Sequence, residues 1–460
     1  MTYDLVVIGG GPAGIVGATE AAGLGRRVAL VDNHPELGGA GTNTGTVPSK
    51  TLRETALALS GMRTRKLYGV DLSLRREATV SDFLRHERNV KEGMNYRLAQ
   101  LMQREEVAVR KGTAEFLDPK RVRIHETGDV LEGEHFLIAT GSSPVRPPDI
   151  PFGEGEIYDS DTILELDRLP GTLAVIGAGT IGSEYACTFA ALGTEVHIVD
   201  GRETLLSFLD GEISRALLRG MESNGIAFHW KEQACSFGLQ GGRVRVGLTS
   251  GAVQTVDAVL VAAGRKSNVE SLNLKAAGVE ASTKGLIPVD ENYRTNVPHI
   301  AAAGDVIGYP ALASTGMDQA RRAVRRMLAP ELFRAAAAKL LPSGVYTIPE
   351  VGTIGETEET LQRAGVPYLV GRAHYGTSAR GRIIGDEHGF LKLLFRRDDM
   401  KLAGVHAIGE QATELVHIGM MAMLADCGFE VFDEACFNIP TLGALYKTAA
   451  LDAAAAVRLV

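Results

Sequence analysis

One pattern occurs twice in this chain, and it constrains the fold more than any other feature. An apolar run, YDLVVIGGG, leads from Tyr3 into a glycine-rich turn, and a second apolar run, RVALVD, ends at Asp32. The stretch TLAVIGAGTIGSEYACTFAALGTEVHIVD repeats this order between Thr172 and Asp200, offset by 168 positions throughout. The repeat predicts two units of strand, turn, helix and strand, each with parallel strands.

Both copies carry a G-x-G-x-x-G turn between the first strand and the helix. The glycines are Gly9, Gly11 and Gly14 in the first copy and Gly177, Gly179 and Gly182 in the second. The first glycine permits the tight turn, the second lets backbone approach a pyrophosphate, and the third lets the helix pack on the strand. The helix N-terminus offers free N–H groups and partial positive charge to that pyrophosphate. The terminal acid, Asp32 or Asp200, accepts hydrogen bonds from a ribose hydroxyl.

A ligand-free alternative is that both units are merely apolar packing units. A single glycine-rich turn would leave that alternative open, because such turns are common. Two copies with strand, helix and acid at equal spacing favour two dinucleotide sites. Two such sites in one chain indicate a flavin and a nicotinamide dinucleotide that exchange a hydride. We expect FAD at the first site and NAD or NADP at the second.

Three later apolar segments end in small residues, as chain crossings between two such domains require. HFLIATGSSP contains Thr140 and Gly141, AVLVAAGRKSN contains Gly264, and IAAAGDVIGYPALAS contains Asp305. Each segment taken alone is also consistent with a buried strand closed by a turn. We expect Asp305 to bind a ribityl chain and the following helix to direct its positive end at the isoalloxazine ring.

Composition limits the partners and the compartment. The 460 residues are enough for about three domains. The net charge of -8 argues against electrostatic binding to nucleic acid or a membrane surface. The four cysteines, Cys187, Cys235, Cys427 and Cys436, have no metal-ligand spacing, so we expect neither a disulfide framework nor a metal site. Without a basic leader or an uninterrupted membrane-length apolar run, the sequence predicts a soluble cytoplasmic protein.

The order of these segments resembles the pyridine nucleotide–disulfide oxidoreductases of the lipoamide dehydrogenase and glutathione reductase type. The resemblance covers essentially the whole chain. It implies an α/β fold with two Rossmann-like domains and a C-terminal α+β dimerisation domain, hence a homodimer or higher homo-oligomer. The implied domains are FAD-binding at 1–148 and 269–339, NAD(P)-binding at 149–268, and dimerisation at 340–460, within several residues.

The loop GGAGTNTGTVPSK, which ends at Lys50, departs from that family. Disulfide members carry cysteines at the positions of Gly41 and Thr46, a histidine at Ile439 and a glutamate at Ala444. All four are missing here, so we reject reduction of a disulfide substrate. We interpret the loop as a retained wall of the flavin site.

The resemblance implies a role for two charged residues at the flavin. Lys50 corresponds to the lysine beside flavin N5, and Glu184 corresponds to its partner; together they would set the flavin potential and the hydride face. Either charge buried alone would be costly, which supports their pairing. The alternative is an ordinary surface lysine and a glutamate near a helix start. Further cofactor contacts implied by the resemblance are Gly39, Thr46, Ala114, Ile181 and Ala313.

Within the family, segments such as GTVPSKTLRE, LLSFLD and FNIPTLGALYKTAAL most resemble the energy-independent pyridine nucleotide transhydrogenases. The implied reaction moves a hydride between NAD(H) and NADP(H) through FAD. Those enzymes generally keep a cysteine at Gly41 and a glutamate at Ala444. Asp200 favours NAD because a carboxylate repels a 2′-phosphate, and Arg202 is placed to offset that repulsion. The alternatives are an NAD(P)H oxidase, quinone reductase or diaphorase, and a catalytically idle FAD-binding scaffold.

Overall fold

The structure, a computed structural model, describes residues 2–61, 80–333 and 340–458. The expected boundary at residue 339 falls on residues 334–339, outside the described ranges, and the domain boundaries stay a prediction. None of the helices within the described ranges is long and apolar enough to cross a membrane.

The described chain contains strand–helix–strand units separated by runs of consecutive strands. The strands are β1 Thr2–Ile8, β2 Val28–Asp32, β3 Ala108–Lys111, β4 Ala114–Asp118, β5 Arg121–Ile124, β6 Val130–Ile138, β7 Ser142–Pro144, β8 Ile157–Asp159, β9 Thr172–Ile176, β10 Glu195–Asp200, β11 Ile226–Trp230, β12 Ala234–Gln240, β13 Arg243–Leu248, β14 Val253–Val256, β15 Ala258–Val261, β16 Arg265–Ser267, β17 Ile300–Ala302, β18 Ser343–Val345, β19 Val351–Gly355, β20 Tyr368–His374, β21 Phe390–Arg396 and β22 Leu402–Ile408. The α-helices are α1 Pro12–Gly23, α2 Gly39–Asn43, α3 Thr46–Ser60, α4 Val80–Arg104, α5 Thr180–Ala191, α6 Gly211–Ser223, α7 Ala313–Leu328, α8 Glu358–Arg363, α9 Ala379–Ile384, α10 Ala412–Leu424, α11 Phe429–Glu434 and α12 Leu445–Arg458.

The first glycine-turn unit lies in a seven-stranded sheet of order β3–β2–β1–β6–β5–β4, with β17 also paired to β6. Its central strands are parallel, and β1 and β2 are apolar because helices or other layers cover both faces of such a sheet. Helix α7 packs closely against the chain that follows β17, since a Cβ on Gly316 would lie 3.1 Å from the Cα of Gly304.

The second unit lies in a parallel sheet of order β11–β10–β9–β15–β8. In the chain, β7 precedes the strands of this sheet and β16 follows them. Those two strands pair antiparallel, with Ser143 opposite Lys266. The segment that contains the second unit therefore begins and ends at adjacent strands. The parallel central strands of the first sheet and the wholly parallel second sheet confirm the predicted α/β class.

The C-terminal part forms an antiparallel sheet of order β18–β19–β22–β21–β20, packed against α10 and α12. Lys392 of β21 is fully buried and reaches back to the start of α6. Its Nζ lies 2.7 Å from Asp210 Oδ1 and 3.0 Å from Glu212 Oε2, and it also contacts Glu358. A buried ammonium is stable only when it is paired, so this cluster fixes the second unit to the C-terminal sheet.

Candidate functional site

The first glycine turn has a geometry that only glycine fits. Gly9 has φ of +106°, and a Cβ there would lie 2.3 Å from the carbonyl oxygen of Ala139. A Cβ on Gly14 would lie 1.8 Å from the carbonyl oxygen of Gly9. Helix α1 begins after Gly11, and within the described residues no side chain caps it and no acid occupies its first turn. Its N–H groups are therefore available to an anion, beside the glycine-rich backbone at Gly39.

The second turn repeats this geometry. Gly177 has φ of +108°, and a Cβ on Gly182 would lie 2.0 Å from its carbonyl oxygen. Helix α5 begins after Gly179, at which a Cβ would meet nothing within 4 Å, and Ile181 lies in the first helical turn. The N-terminus of α5 is thus open to a ligand as well.

The terminal acids occupy equivalent positions in the two units. Buried Asp32 accepts hydrogen bonds from the backbone N–H of Gly10 and, at 2.7 Å, from that of His34. Buried Asp200 accepts equivalent bonds from Ala178 at 2.6 Å and Arg202 at 2.8 Å. Each carboxylate is therefore fixed at the edge of its glycine turn, where a ribose is expected.

The Arg202 side chain distinguishes the second acid from the first. Its Nε lies 2.9 Å from Asp200 Oδ1, and its Nη2 lies 2.7 Å from Oδ2. Burial alone would raise the pKa of Asp200, but the hydrogen bonds from Arg202 and from two backbone N–H groups outweigh it and lower the pKa to about 2. The charge of Asp200 is thus compensated within the protein.

The other predicted FAD contacts include a buried polar atom that has no hydrogen-bond partner in the described part of the protein. The buried Thr140 Oγ1 has no hydrogen-bond partner among the described residues, which suits a position that faces a polar ligand. Gly141 follows with φ of +69°. Asp305 accepts a hydrogen bond of 2.6 Å from Ser142 Oγ, and Ala313 begins α7. With the α1 terminus and Asp32, this donor and acceptor set fits FAD.

Two predicted positions lie at or near strand ends. Ala114 is a buried residue at the start of β4. Gly264, with φ of +102°, follows β15 and accepts a hydrogen bond of 2.9 Å from the backbone N–H of Val145. Gly264 thus joins the second unit to the strand pair that connects it to the first.

The loop before Lys50 holds no sulfur. A Cβ on Gly41 would lie 2.6 Å from Pro12 Cγ, so the proline ring already fills the space beside this glycine. Thr46 begins α3 and is exposed. All four cysteines are free thiols, and Cys187, on α5, is buried. The loop therefore offers no thiol pair for redox chemistry.

Lys50 and Glu184 meet across two helices that are 134 positions apart in the chain. Lys50 Nζ on α3 lies 2.6 Å from Glu184 Oε2 on α5, and the two side chains are 27% and 7% exposed. Tyr346 completes the arrangement: its backbone N–H donates to Glu184 Oε1 at 2.9 Å, and its ring centroid lies 5.0 Å from Lys50 Nζ. The pair thus joins the first unit, the second unit and the C-terminal part.

Sequence reasoning missed Tyr346 and its neighbours. The buried Arg53, one turn beyond Lys50 on α3, donates from Nε to the carbonyl oxygen of Thr347 at 3.1 Å. Its Nη2 lies 3.3 Å from Glu350 Oε2. Segment 346–350 therefore holds α3 in place. The only sequence signal was a charged Arg53 on the apolar side of a helix, which predicts a buried partner but not its identity.

Comparison with known proteins agrees with this architecture. The family model described as "Pyridine nucleotide-disulphide oxidoreductase" matches residues 3–320, and that family's dimerisation domain matches residues 341–450. Proteins named soluble pyridine nucleotide transhydrogenase from Mycobacterium tuberculosis and Mycobacterium bovis are 41% identical over 455 residues, 98% of this chain and 97% of theirs. The protein of that name from Hahella chejuensis is 41% identical over 458 residues, with 98% of each chain covered.

A solved structure shows the same fold at lower identity. The HOCl-induced flavoprotein disulfide reductase RclA from Escherichia coli superposes with a TM-score of 0.89 and 26% identity. The match covers 98% of this chain and 99% of that one. Similarity therefore extends over the full described length, including both glycine-turn units and the C-terminal sheet.

Proposed function

We propose a specific reaction on one premise: the chain belongs to the pyridine nucleotide-disulphide oxidoreductase family. It is accordingly an FAD-dependent oxidoreductase whose substrates are nicotinamide dinucleotides, and its C-terminal domain pairs two copies in a homodimer. The proposal is that it exchanges a hydride between NADH/NAD and NADPH/NADP without any disulfide. The names of the mycobacterial and Hahella relatives support this choice.

The carrying observation is that the Lys50–Glu184 pair is intact beside a loop that has no thiol. When bound, FAD would accept a hydride from one reduced dinucleotide and return it to an oxidised one. The chain's own residues then have three tasks. The α1 and α5 termini bind the two pyrophosphates. Asp32 and Asp200 hold riboses. Lys50 supplies a fixed positive charge that stabilises negative charge developing during transfer, and Glu184 keeps Lys50 in position.

Steady-state kinetics with NADPH as donor and a thio-analogue of NAD as acceptor test the reaction. Because both dinucleotides would use one site in turn, we expect ping-pong kinetics. Each dinucleotide should also inhibit at high concentration by occupying the enzyme form meant for the other. Rapid reduction by NADH, followed by re-oxidation only by oxygen or a quinone, would replace this proposal with the oxidase or quinone-reductase alternative.

A separate titration tests the absence of a disulfide. Reduction should consume two electrons per FAD, because the loop carries Gly41 and Thr46 at the positions where a cysteine pair would add two more. Consumption of four electrons would reveal a second redox group and contradict this part of the proposal. The packing of Pro12 against Gly41 gives no support to an opened path for oxygen or quinone at this position.

A further inference from the structure

Two histidines and a glutamate meet on one face of the second parallel sheet. His197 Nδ1 on β10 lies 3.2 Å from His229 Nε2 on β11, and His197 Nε2 lies 3.2 Å from Glu195 Oε1. We propose that the two histidines bind a first-row transition-metal dication of the Zn²⁺ and Cu²⁺ class, and that Glu195 orients His197 for it. The site lies outside both glycine turns and does not depend on the proposed reaction.

The pairing of β10 with β11 brings these side chains together. In this parallel ladder Val199 pairs in register with His229, and His197 pairs with Ala227. Side chains alternate between the two faces along a strand, and residues paired in register share a face. Glu195, His197 and His229 therefore project from the same face of the sheet.

This face is the one turned away from the helices of the second unit. Val199 shares a core with Val246 of β13, whereas the neighbouring Ile198 shares a core with Phe189 of α5. The His197 side chain is 18% exposed, and β11 is the edge strand of the sheet. An ion can therefore reach the two imidazole rings from solvent without passing the cofactor sites.

The separation of the two ring nitrogens suits one metal ion. Zn–N bonds are about 2.0–2.1 Å long, so two nitrogens on one ion lie about 2.9–3.4 Å apart for bond angles between about 90° and 109°. The 3.2 Å between His197 Nδ1 and His229 Nε2 falls within that range. The ring centroids lie 5.4 Å apart, so the rings meet through their edges. A small rotation of each ring brings both lone pairs to one ion.

Glu195 supplies the carboxylate that metal-binding histidines commonly contact. Its position at Nε2 of His197 holds the proton on that nitrogen, so Nδ1, which faces His229, keeps its lone pair. A carboxylate in this position fixes the ring and makes the other nitrogen a stronger ligand. Imidazole ligands suit zinc, copper and nickel, whereas magnesium and calcium prefer oxygen. The donor set therefore selects a transition metal.

The other cluster of potential ligands in the described chain does not need an ion. Asp210, Glu212 and Glu358 lie close together, but Lys392 Nζ lies among them and contacts all three. That ammonium is fully buried and already compensates the acids. The histidine pair, in contrast, has no built-in cation between its two nitrogens.

The first unit has the same strand pairing without the ligands. At the equivalent positions of β2 and β3 and just before β2, it has Arg27, Ala29 and Arg110. Two arginines would repel a dication, so the fold itself does not require the cluster. The cysteine spacing predicted no metal site, and the two histidines are 32 positions apart. Only the register between β10 and β11 makes them neighbours.

Calorimetric titration of the metal-free, FAD-loaded enzyme with ZnCl₂ tests the site. The natural sequence should bind one Zn²⁺ per chain in a component that is absent from His197→Gln and from His229→Gln. Glu195→Gln should weaken this component about tenfold to a hundredfold, the usual effect of losing an outer carboxylate. His125→Gln is the matched control, because His125 lies 3.3 Å from Glu115 Oε2 and pairs with that acid rather than with a second imidazole.

Thermal unfolding gives a second readout, because an ion that binds only the folded state raises the unfolding temperature. Zn²⁺ should raise it in the natural sequence and in His125→Gln, but not in His197→Gln or His229→Gln. Each variant is compared with its own metal-free value, and its FAD content reports whether it has folded. Cu²⁺ should bind the same component more tightly than Zn²⁺, and Mg²⁺ should not compete.

Three results would overturn the site: a full zinc component in either His197→Gln or His229→Gln, an equal loss in His125→Gln, or competition by Mg²⁺. An unchanged zinc affinity in Glu195→Gln would reject the orienting role of that residue. None of these measurements uses a nicotinamide dinucleotide. A failed transhydrogenation assay would therefore reject the proposed reaction alone, and a missing zinc component would reject the metal site alone.

Discussion

In the first glycine-turn unit the helix after the turn carries Val16, and at the same position in the second unit it carries Glu184. Two residues beyond the terminal acid, the first unit has His34 and the second has Arg202. The turns themselves are alike: α1 and α5 begin at equivalent positions and each has 12 residues. The same backbone geometry is therefore available in both units for the pyrophosphate that we propose each one binds. On the proposed function, a few side chains on the same scaffold would distinguish the site for the retained cofactor from the site for the exchanging substrate.

Breaking each turn in isolation should have the largest effect. Gly14→Val and Gly182→Val place a side chain where a Cβ already lies 1.8 Å or 2.0 Å from a carbonyl oxygen. We expect each change to cost about 3 kcal/mol, the upper end of the usual cost of overpacking, because the backbone must shift. Gly14→Val should yield protein without FAD, whereas Gly182→Val should retain FAD and lose reduction by NADH. The ratio of absorbance at 450 nm to that at 280 nm, with thermal unfolding, measures both outcomes.

Gly23→Ala is the control for these two changes, since a Cβ at Gly23 meets nothing within 4 Å and the second unit has Ala191 at the same position. It should leave FAD content and unfolding temperature almost unaltered. If Gly182→Val loses FAD as completely as Gly14→Val, the two turns do not serve separate ligands.

Removing the charge pair should have the next largest effect. Lys50→Met should slow flavin reduction by NADH about a hundredfold, the usual effect of losing one preorganised electrostatic contact, while FAD stays bound. Stopped-flow absorbance measures the rate. Lys91→Met is a matched control: Lys91 is 30% exposed and pairs at 3.5 Å with Glu87, which is buried, within α4. An equal slowing in both variants would show that Lys50 acts only through stability.

The two terminal acids should separate ligand preference from cofactor retention. Asp200→Asn should weaken the binding of NADH and strengthen that of NADPH, because it removes one negative charge beside the ribose. The ratio of the two dissociation constants should change about tenfold. Asp32→Asn should instead loosen FAD and leave the NADH-to-NADPH ratio unchanged. Equilibrium titrations of both dinucleotides on both variants decide the point, and a shifted ratio in Asp32→Asn would contradict the assignment of the units.

Asp200 should also contribute a pH-dependent part of stability. Burial acts to raise its pKa, but hydrogen bonds from Arg202 and the backbone lower it from 3.8 to about 2. A lowered pKa in the folded state contributes stability fully above pH 3.8, and that contribution is lost as the pH falls toward 2. In urea unfolding from pH 6 to pH 2, the gap between the natural sequence and Asp200→Asn should shrink below pH 4. A constant gap would mean that Asp200 is not tightly paired.

The smallest effect is expected at the position equivalent to Arg202 in the first unit. The His34 ring contacts the carbonyl oxygen of Glu36 at 2.7 Å and makes no ion pair with Asp32 within the described residues. His34→Ala should therefore change stability by about 0.5 kcal/mol or less, without altering FAD content. Arg202→Ala, in contrast, should weaken NADPH selectively. Chemical denaturation and dinucleotide titration compare the two, and a loss of FAD in His34→Ala would remove the contrast.

The sequence predicted the parts of the fold that depend on local backbone geometry. Gly9 and Gly177 require positive φ, and Gly14 and Gly182 face a carbonyl oxygen, so no other residue fits those positions and the pattern is readable without a structure. The pairing of Lys50 with Glu184 joins residues on helices of different units. Spacing alone could not have revealed it, and it was expected only from the resemblance to a family.

Residues from the C-terminal part were missed for a related reason. Tyr346 contributes to the Lys50–Glu184 pair partly through a backbone N–H, and any non-proline residue has one, so no letter in the sequence marks it. Lys392 was also missed. Within GFLKLLF, Lys392 is one polar residue in an apolar strand. Its acidic partners are Asp210, the N-cap residue of α6, Glu212 in α6 and Glu358 in α8. Long-range contacts of this kind need the packing of whole elements before individual side chains can be assigned.

The adjacency of β7 and β16 has a consequence for how this molecule can be rearranged. A segment whose entry and exit strands lie side by side can be removed, exchanged or circularly permuted without a long new connection. The second glycine-turn unit is thus an insertion whose two ends lie side by side. In the laboratory, a short linker from Ser143 to Lys266 should leave the sheet that contains the first unit continuous.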